Sequence, residues 1–363
     1  MNFFHRPFVK SIAFANFLLV SLLSSCADPG PIVQQQDIYT TSIILSLYGN
    51  PPPVVFDKIF ARLHQIDLQM SAQRSNSEIN DISDHAGKSP VKVSPDTLIV
   101  LENALSMAKL THGIFDPTIG PVTALWNVEG ENPHVPSPEA IAHARALVNW
   151  RDVVINQQAG TVFLTRPGMR LDFGGIAKGY AMDEAVRIAR NYGVKTGIFN
   201  MGDSSICLLG TKSNGEPWKV GIQDPSYGAP RSSIIGIVQG YNFVVETSGP
   251  YERYFVQNGK HYHHIMDPRT GAPAESGLSQ VTLLMPVDTT LGDGLSTSCF
   301  ILGLNKGMQL INSLSGASAI FVTKDKKVYL SPGVAGRFSL TEQGKALGYR
   351  LATLPSQDQS EKS

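Results

Sequence analysis

The spacing of apolar residues changes near residue 194, and that change limits what this chain can become. Upstream, the helical period dominates. "VVFDKIFARLHQIDLQM" puts Phe56, Ile59, Phe60, Leu63, Ile66 and Met70 on one helical face. "SPDTLIVLENALSMAKLTHG" follows as a second helix, with Ser94 suited to its N-cap and Gly113 to its end. Downstream, "TGIFNMG", "WKVGIQD", "SIIGIVQG", "NFVVETSG" and "QVTLLMP" read as strands interrupted by Gly, Pro and Asn. A further helix is expected over roughly 290–314, and "SAIFVTKDKKVYLS" looks like a closing hairpin. No repeat or low-complexity linker divides the 363 residues, so the expected fold class is α+β, a single mixed domain over 38–350. "IYTTSIILSLYG" would be its first strand, 26–37 a Pro-, Gly- and Gln-containing tether, and 351–363 a polar tail.

The first 25 residues read as a segment apart from the fold. Arg6 and Lys10 flank "SIAFANFLLVSLL", an apolar run too short to span a bilayer comfortably. The run ends in "LSSC", which resembles a bacterial lipobox. The expectation is a signal peptide over 1–25 and a mature chain beginning at a lipidated Cys26, anchored in the periplasm, with the inner membrane favoured over the outer. The plainer alternative is an ordinary signal peptide with Cys26 incidental. Cleavage there leaves 28 basic against 30 acidic residues, a net charge of −2. So even a balance gives no reason to expect a nucleic-acid partner. Cys207 and Cys299 lie in apolar segments and read as two buried thiols, with no zinc-ligand spacing around them.

Four segments carry chemistry. In "RLDFGGIAKGYAMDEA" an acid (Asp172), a diglycine and Lys178 precede an amphipathic helix that Gly193 closes. Exposed amides at such a helix entry suit an anion, and the lysine adds positive charge for phosphate. A tight strand–helix turn with a solvated lysine explains the same residues. Neither G-x-G-x-x-G nor the P-loop pattern is present. In "HYHHIMDPRTG", His264 lies three residues before Asp267, a spacing that can set an imidazole beside a carboxylate as a general base requires; a histidine bound into a turn is the alternative. In "TTLGDGLSTSCFILG", a helix would align Asp293 with Thr297 and set Ser296 beside them, an all-oxygen set suited to Mg²⁺ or simply a capped helix start. "THGIFDPTIGPVTALW" forms a bent loop in which Phe115 and Trp126 could border an aromatic ligand or pack on the core.

Taken together, "MSAQRSNSEIN", "GIFDPTIGPVTALW", "LDFGGIAKGYAMD", "FNMGDSSICLLG", "TSGPYERYFVQNGKHYHHIMDPRTGAP" and "LGDGLSTSCFILG" resemble the ApbE family, the FAD:protein FMN transferases, in the family's order over about 38–303. The resemblance implies a mixed α+β domain of the ApbE type with FAD held in a cleft. It implies FAD contacts from Asp172 and Lys178, a site lined by Ile114, Phe115, Asp116 and Ile265, and Mg²⁺ held by the Gly175 carbonyl, Asp293 and Thr297, with Ser296 a weaker ligand. His264, oriented by Asp267, would be the base. The implied reaction moves FMN from FAD to a Thr or Ser hydroxyl of a membrane redox subunit, of the sodium-pumping NADH:quinone reductase or Rnf type, and releases AMP. The chain departs from the family pattern at Tyr39 and Gln73, both near expected flavin contacts, at Asp203, where a glycine is usual, and at Ser296, an acid in some members. A Mg²⁺-dependent FAD pyrophosphatase and a non-catalytic flavin-binding lipoprotein are the alternative functions.

Overall fold

The computed structural model of the protein describes residues 30–287 and 292–354. The proposed signal segment, Cys26, residues 288–291 and residues 355–363 lie outside that range. Nine strands form the central sheet: β1 (Ile32–Ile38), β2 (Thr41–Leu47), β3 (Gly197–Met201), β4 (Ser205–Leu209), β5 (Phe243–Ser248), β6 (Leu278–Pro286), β7 (Ser318–Thr323), β8 (Lys327–Leu330) and β9 (Arg350–Ala352). Their order in space is their order in the chain. Every neighbouring pair is antiparallel except β8–β9.

Side chains alternate between the faces of a strand, and here both faces are buried. Val244, Leu283 and Phe321 point to one side, while Val245, Leu284 and Ile320 point to the other. The first side lies under helices α1 (Val54–Met70), α2 (Pro95–Leu110), α3 (Ala177–Asn191) and α4 (Gly292–Asn312), and forms the main core with Phe56, Phe173 and Phe300. The second packs on a smaller three-stranded sheet, Trp218–Gln223, Ile234–Gly240 and Phe338–Leu340. A strand covered on both sides has no polar face to display, hence the unbroken run "VTLLMP". Among the described residues no helix is long and apolar enough to cross a membrane.

The expected helical faces are present. All six apolar residues assigned to α1 are buried, and the Ser94 hydroxyl accepts from the Thr97 amide as an N-cap. Cys207 and Cys299 are buried and form no disulfide. Three expectations change. Residues 32–37, read as tether, belong to β1, and the strand read over "IYTTSIILSLYG" is the end of β1, a two-residue turn at Tyr39-Thr40, and β2. β1 is an edge strand in which only Ile38 is buried, so it carries no apolar alternation to read. The tail reading from 351 meets β9, whose three residues extend the opposite edge. Residues 171–173, just before Gly174, belong to no strand; the segment joins the neighbouring loop by the Ile119–Arg170 bridge and the Asp172 amide bond to the Pro117 carbonyl.

One charged network ties α1 and α2 to α3, one of the two helices that start at the site. The Arg62 guanidinium (α1) makes a two-pronged contact with Asp96 (α2) at 2.6 Å on both arms and donates from Nε to Glu184 (α3) at 2.7 Å; Tyr180 donates to Asp96 at 2.7 Å. The Arg62 hydrogen bonds hold Asp96 below the usual carboxylate range. Arg62→Ala would leave Asp96 between helices with the Tyr180 hydroxyl but no cation, while Glu184 keeps Arg187. The expected cost is about 2–3 kcal/mol, below that of a fully buried pair because each partner keeps some solvent. Urea unfolding measures it.

Candidate active site

The site forms where the starts of α3 and α4 face the end of β5. Asp172 is fixed just ahead of α3. Its amide donates to the Pro117 carbonyl (2.9 Å), Oδ1 accepts from the Gly174 amide (2.8 Å), and Oδ2 accepts from the Thr123 hydroxyl (2.8 Å). The "GIFDP" loop and the diglycine turn are thereby joined. α3 then begins without a side-chain cap; the Ala177 amide donates to the Phe173 carbonyl (2.9 Å) and the Gly179 amide to the Asp293 carboxyl. Lys178, in the first turn, donates to Ser204 Oγ at 2.9 Å. Ser204 belongs to the β3–β4 turn, where Asp203 has φ +65°. An acid can take that left-handed conformation, though glycine takes it more readily; its amide and Oδ1 bond back to the Asn200 side chain.

Gly175 shows how tightly this junction is built. A Cβ there would lie 3.2 Å from the Phe115 ring and 3.8 Å from Thr297 Oγ1, and a Cβ on Gly294 would lie 3.3 Å from the Gly175 carbonyl oxygen. The Gly175 carbonyl, the Asp293–Gly294 helix start and the Thr297 hydroxyl thus meet around Phe115. Asp293 is buried, and its Oδ2 has no hydrogen-bond partner. Burial pushes its carboxyl above the usual range, while Lys178, Arg253 and the Gly179 amide pull it back. Thr297 alone is half-exposed among residues 292–300. The Ser296 hydroxyl is 1% exposed, donating to the Asp293 carbonyl (2.9 Å) and sharing a 2.8 Å bond with Ser248. Thr297 Oγ1 reaches the same two partners at 3.3 Å each, so exposure is what separates the two hydroxyls.

These donors fit a hard cation: an orphaned carboxylate oxygen, a main-chain carbonyl and a half-exposed hydroxyl, all oxygen. Among the described residues no group of three His, Cys, Asp or Glu side chains is placed to hold a metal. A cation here would rest on few side chains and complete its shell from ligand and water.

The histidine turn departs from the expected pairing. His264 Nδ1 lies 3.1 Å from the Arg253 carbonyl, while Asp267 is gripped by Arg269 (2.7 Å from Nη2) and accepts its amide. A carbonyl can only accept, so Nδ1 carries the proton and Nε2 is the free base. The orienting group is therefore Arg253, with Asp267 shaping the turn. Burial, aided by the Arg253 and Lys178 charges, holds His264 well below the usual imidazole range. The ring stays neutral and able to accept a proton at neutral pH.

His263 is also bound into the structure. Its Nε2 bonds to the Ala274 carbonyl (3.1 Å), its Nδ1 accepts from the Ile265 amide (3.3 Å), and burial pushes its pKa down from 6.5 to about 4. The folded chain holds this proton less tightly than the unfolded one. Its stabilisation is complete above pH 6.5, erodes below, and is lost as pH falls through about 4, amounting to about 3 kcal/mol. Denaturant unfolding from pH 7 to 4 should show that slope, and His263→Gln should flatten it.

The remaining expected residues are dispersed around this junction. Ile114, Phe115 and Ile265 are buried in the main core. Asp116 is consumed within its own loop, accepting from the Thr118 amide and hydroxyl and the Trp150 amide. Tyr39 packs on the core and donates to the Leu63 carbonyl (2.9 Å). Gln73 is exposed and accepts from Ser71. Sequence reasoning missed Glu246, Ser248 and Arg253. The available signal was the acid inside the apolar strand "NFVVETSG", whose burial only the fold reveals.

A deep mixed sheet, an uncapped helix start with a lysine, and an all-oxygen donor set describe a protein able to hold an anionic ligand and a cation side by side. The sequence model of the ApbE family matches residues 39–321. The chain belongs to that family. It is 33% identical over 294 residues to an FAD:protein FMN transferase of Treponema pallidum, covering 77% of this chain and 80% of that one. A Klebsiella pneumoniae protein of the same name is 33% identical, with 83% and 92% covered. Among solved structures, the ApbE protein of Thermotoga maritima superposes with a TM-score of 0.78 at 30% identity, over 85% of this chain and 99% of that one. The flavin transferase ApbE of Vibrio cholerae gives 0.74 at 26%, over 84% and 98%.

Proposed function

We propose that this chain transfers FMN from FAD to a Ser or Thr hydroxyl of another protein, releasing AMP, in a Mg²⁺-dependent reaction. As a family member similar to proteins named FAD:protein FMN transferase, it is an enzyme of that kind. The orphaned Asp293 Oδ2, on the residue that adjoins Gly294 at the junction of the Gly175 carbonyl and the Thr297 side chain, carries the reading. A carboxylate buried without a partner is costly unless a ligand completes it.

Asp293, Gly175 and Thr297 would hold the Mg²⁺, which when bound supplies charge neutralisation at phosphate oxygens. Lys178, in the first turn of α3, takes the pyrophosphate. The acceptor hydroxyl attacks the FMN-side phosphorus, its proton passing to His264 Nε2. A P–O bond forms to the acceptor, the pyrophosphate bridge breaks, and AMP leaves. A lipid anchor at Cys26 would hold the enzyme on the periplasmic face of a membrane, beside redox subunits as acceptors.

The test uses Lys178→Ala. A lost charge-assisted contact to phosphate, of about 1.5–3 kcal/mol, weakens FAD binding roughly 10- to 100-fold. Riboflavin has no phosphate and should bind both proteins equally, as followed by flavin fluorescence. Equal loss for both ligands would place the lysine at the flavin ring instead.

A further inference from the structure

Glu246 sits at the middle of β5, 3% exposed, on the side of the sheet that faces α4. Ser205 Oγ donates to its Oε1 at 2.7 Å. A Cβ on Gly292 would lie 3.0 Å from Glu246 Cγ, so the residue that opens α4 must be small for the acid to fit behind it. Asp293, whose Oδ2 lacks a partner, is the next residue. Two buried carboxyls therefore stand at the start of one helix. The cations within reach are Lys178 and Arg253. The first donates to Ser204, and the second pairs with Glu129 at 2.9 Å. Both carboxyls stand beside the same oxygen donors that fit a hard cation.

We propose that Glu246 is a positioning residue of the cation site, a second carboxyl behind Asp293 that sets how tightly the site takes Mg²⁺ without ligating it. The inference rests on the Mg²⁺ reading above. It adds a residue that Ser205 holds by a hydrogen bond, and it explains why an apolar strand tolerates an acid on its helix-covered face. Direct ligation is not required. A charge one layer out acts through the field at the donors and through the shape it imposes on the helix start.

The experiment is Mg²⁺ titration of the purified full chain by calorimetry without FAD, for the native protein, Glu246→Gln and Glu246→Asp, with thermal unfolding in chelator to establish that each folds. Glu246→Gln keeps the size and the Ser205 contact but removes the charge. Its Mg²⁺ affinity should fall about 10- to 100-fold, Glu246→Asp should recover most of the loss, and the melting temperature in chelator should not fall. Should Glu246→Gln fail to fold, Glu246→Asp carries the test, with a required loss of more than about twofold. Native-like affinity in the folded variant, within about twofold, overturns the proposal while leaving the Mg²⁺ reading intact. A native protein that takes up no Mg²⁺ overturns both.

Discussion

Asp293→Asn should raise the melting temperature in chelator and at the same time lower FMN transfer by about 10²- to 10³-fold. The two signs come from one fact. Burial raises the Asp293 carboxyl above its ordinary range, so above that range the unfolded chain sheds the proton more readily than the folded one, and folding is opposed. Asparagine removes the penalty. It also removes the negative charge and one of the two oxygens that a cation would use, and Gly175 and Thr297 alone offer no charge. Calorimetric Mg²⁺ binding, thermal unfolding and transfer rate measured on one preparation separate these effects. A variant that loses both stability and activity would show that Asp293 serves packing.

His264→Ala should cost about 10²- to 10⁴-fold in kcat with the fold retained, the range expected when a general base is removed. Because burial and nearby cations hold the imidazole well below its usual range, the base is already neutral at mildly acidic pH. The rising limb of kcat/KM should therefore fall below pH 6.5, with a plateau above it, and the variant should lose that limb. Asp267→Asn should leave the limb in place, since the Arg253 carbonyl and not Asp267 engages Nδ1. A limb that moves with Asp267→Asn would restore the carboxylate as the orienting group.

What could be read from the sequence followed burial. α1 was legible because its buried face repeats every three to four residues from Phe56 to Met70. β5 and β6 were legible as strands because apolar runs with turn residues at both ends leave few alternatives. β1 was not, since an edge strand with polar side chains resembles a tether. At the site, the spacing of Asp293 and Thr297 on one helix survived into the structure, because local geometry decides it. The His264–Asp267 pairing did not. Both residues share a turn, but Arg269, two positions beyond the acid, reaches it first. Glu246 could not have been placed from sequence. Whether an acid in a strand meets solvent or another carboxyl depends on which face a distant helix covers.

The most direct test of the account is to incubate the purified protein with FAD, Mg²⁺ and a candidate acceptor domain, reading the acceptor's intact mass together with AMP release. An FMN-sized gain on the acceptor, matched by AMP, dependent on Mg²⁺ and lost in His264→Ala, is the predicted result. FAD that stays intact beside an unlabelled acceptor would contradict the transferase, and AMP with free FMN but no labelled acceptor would make the protein a pyrophosphatase.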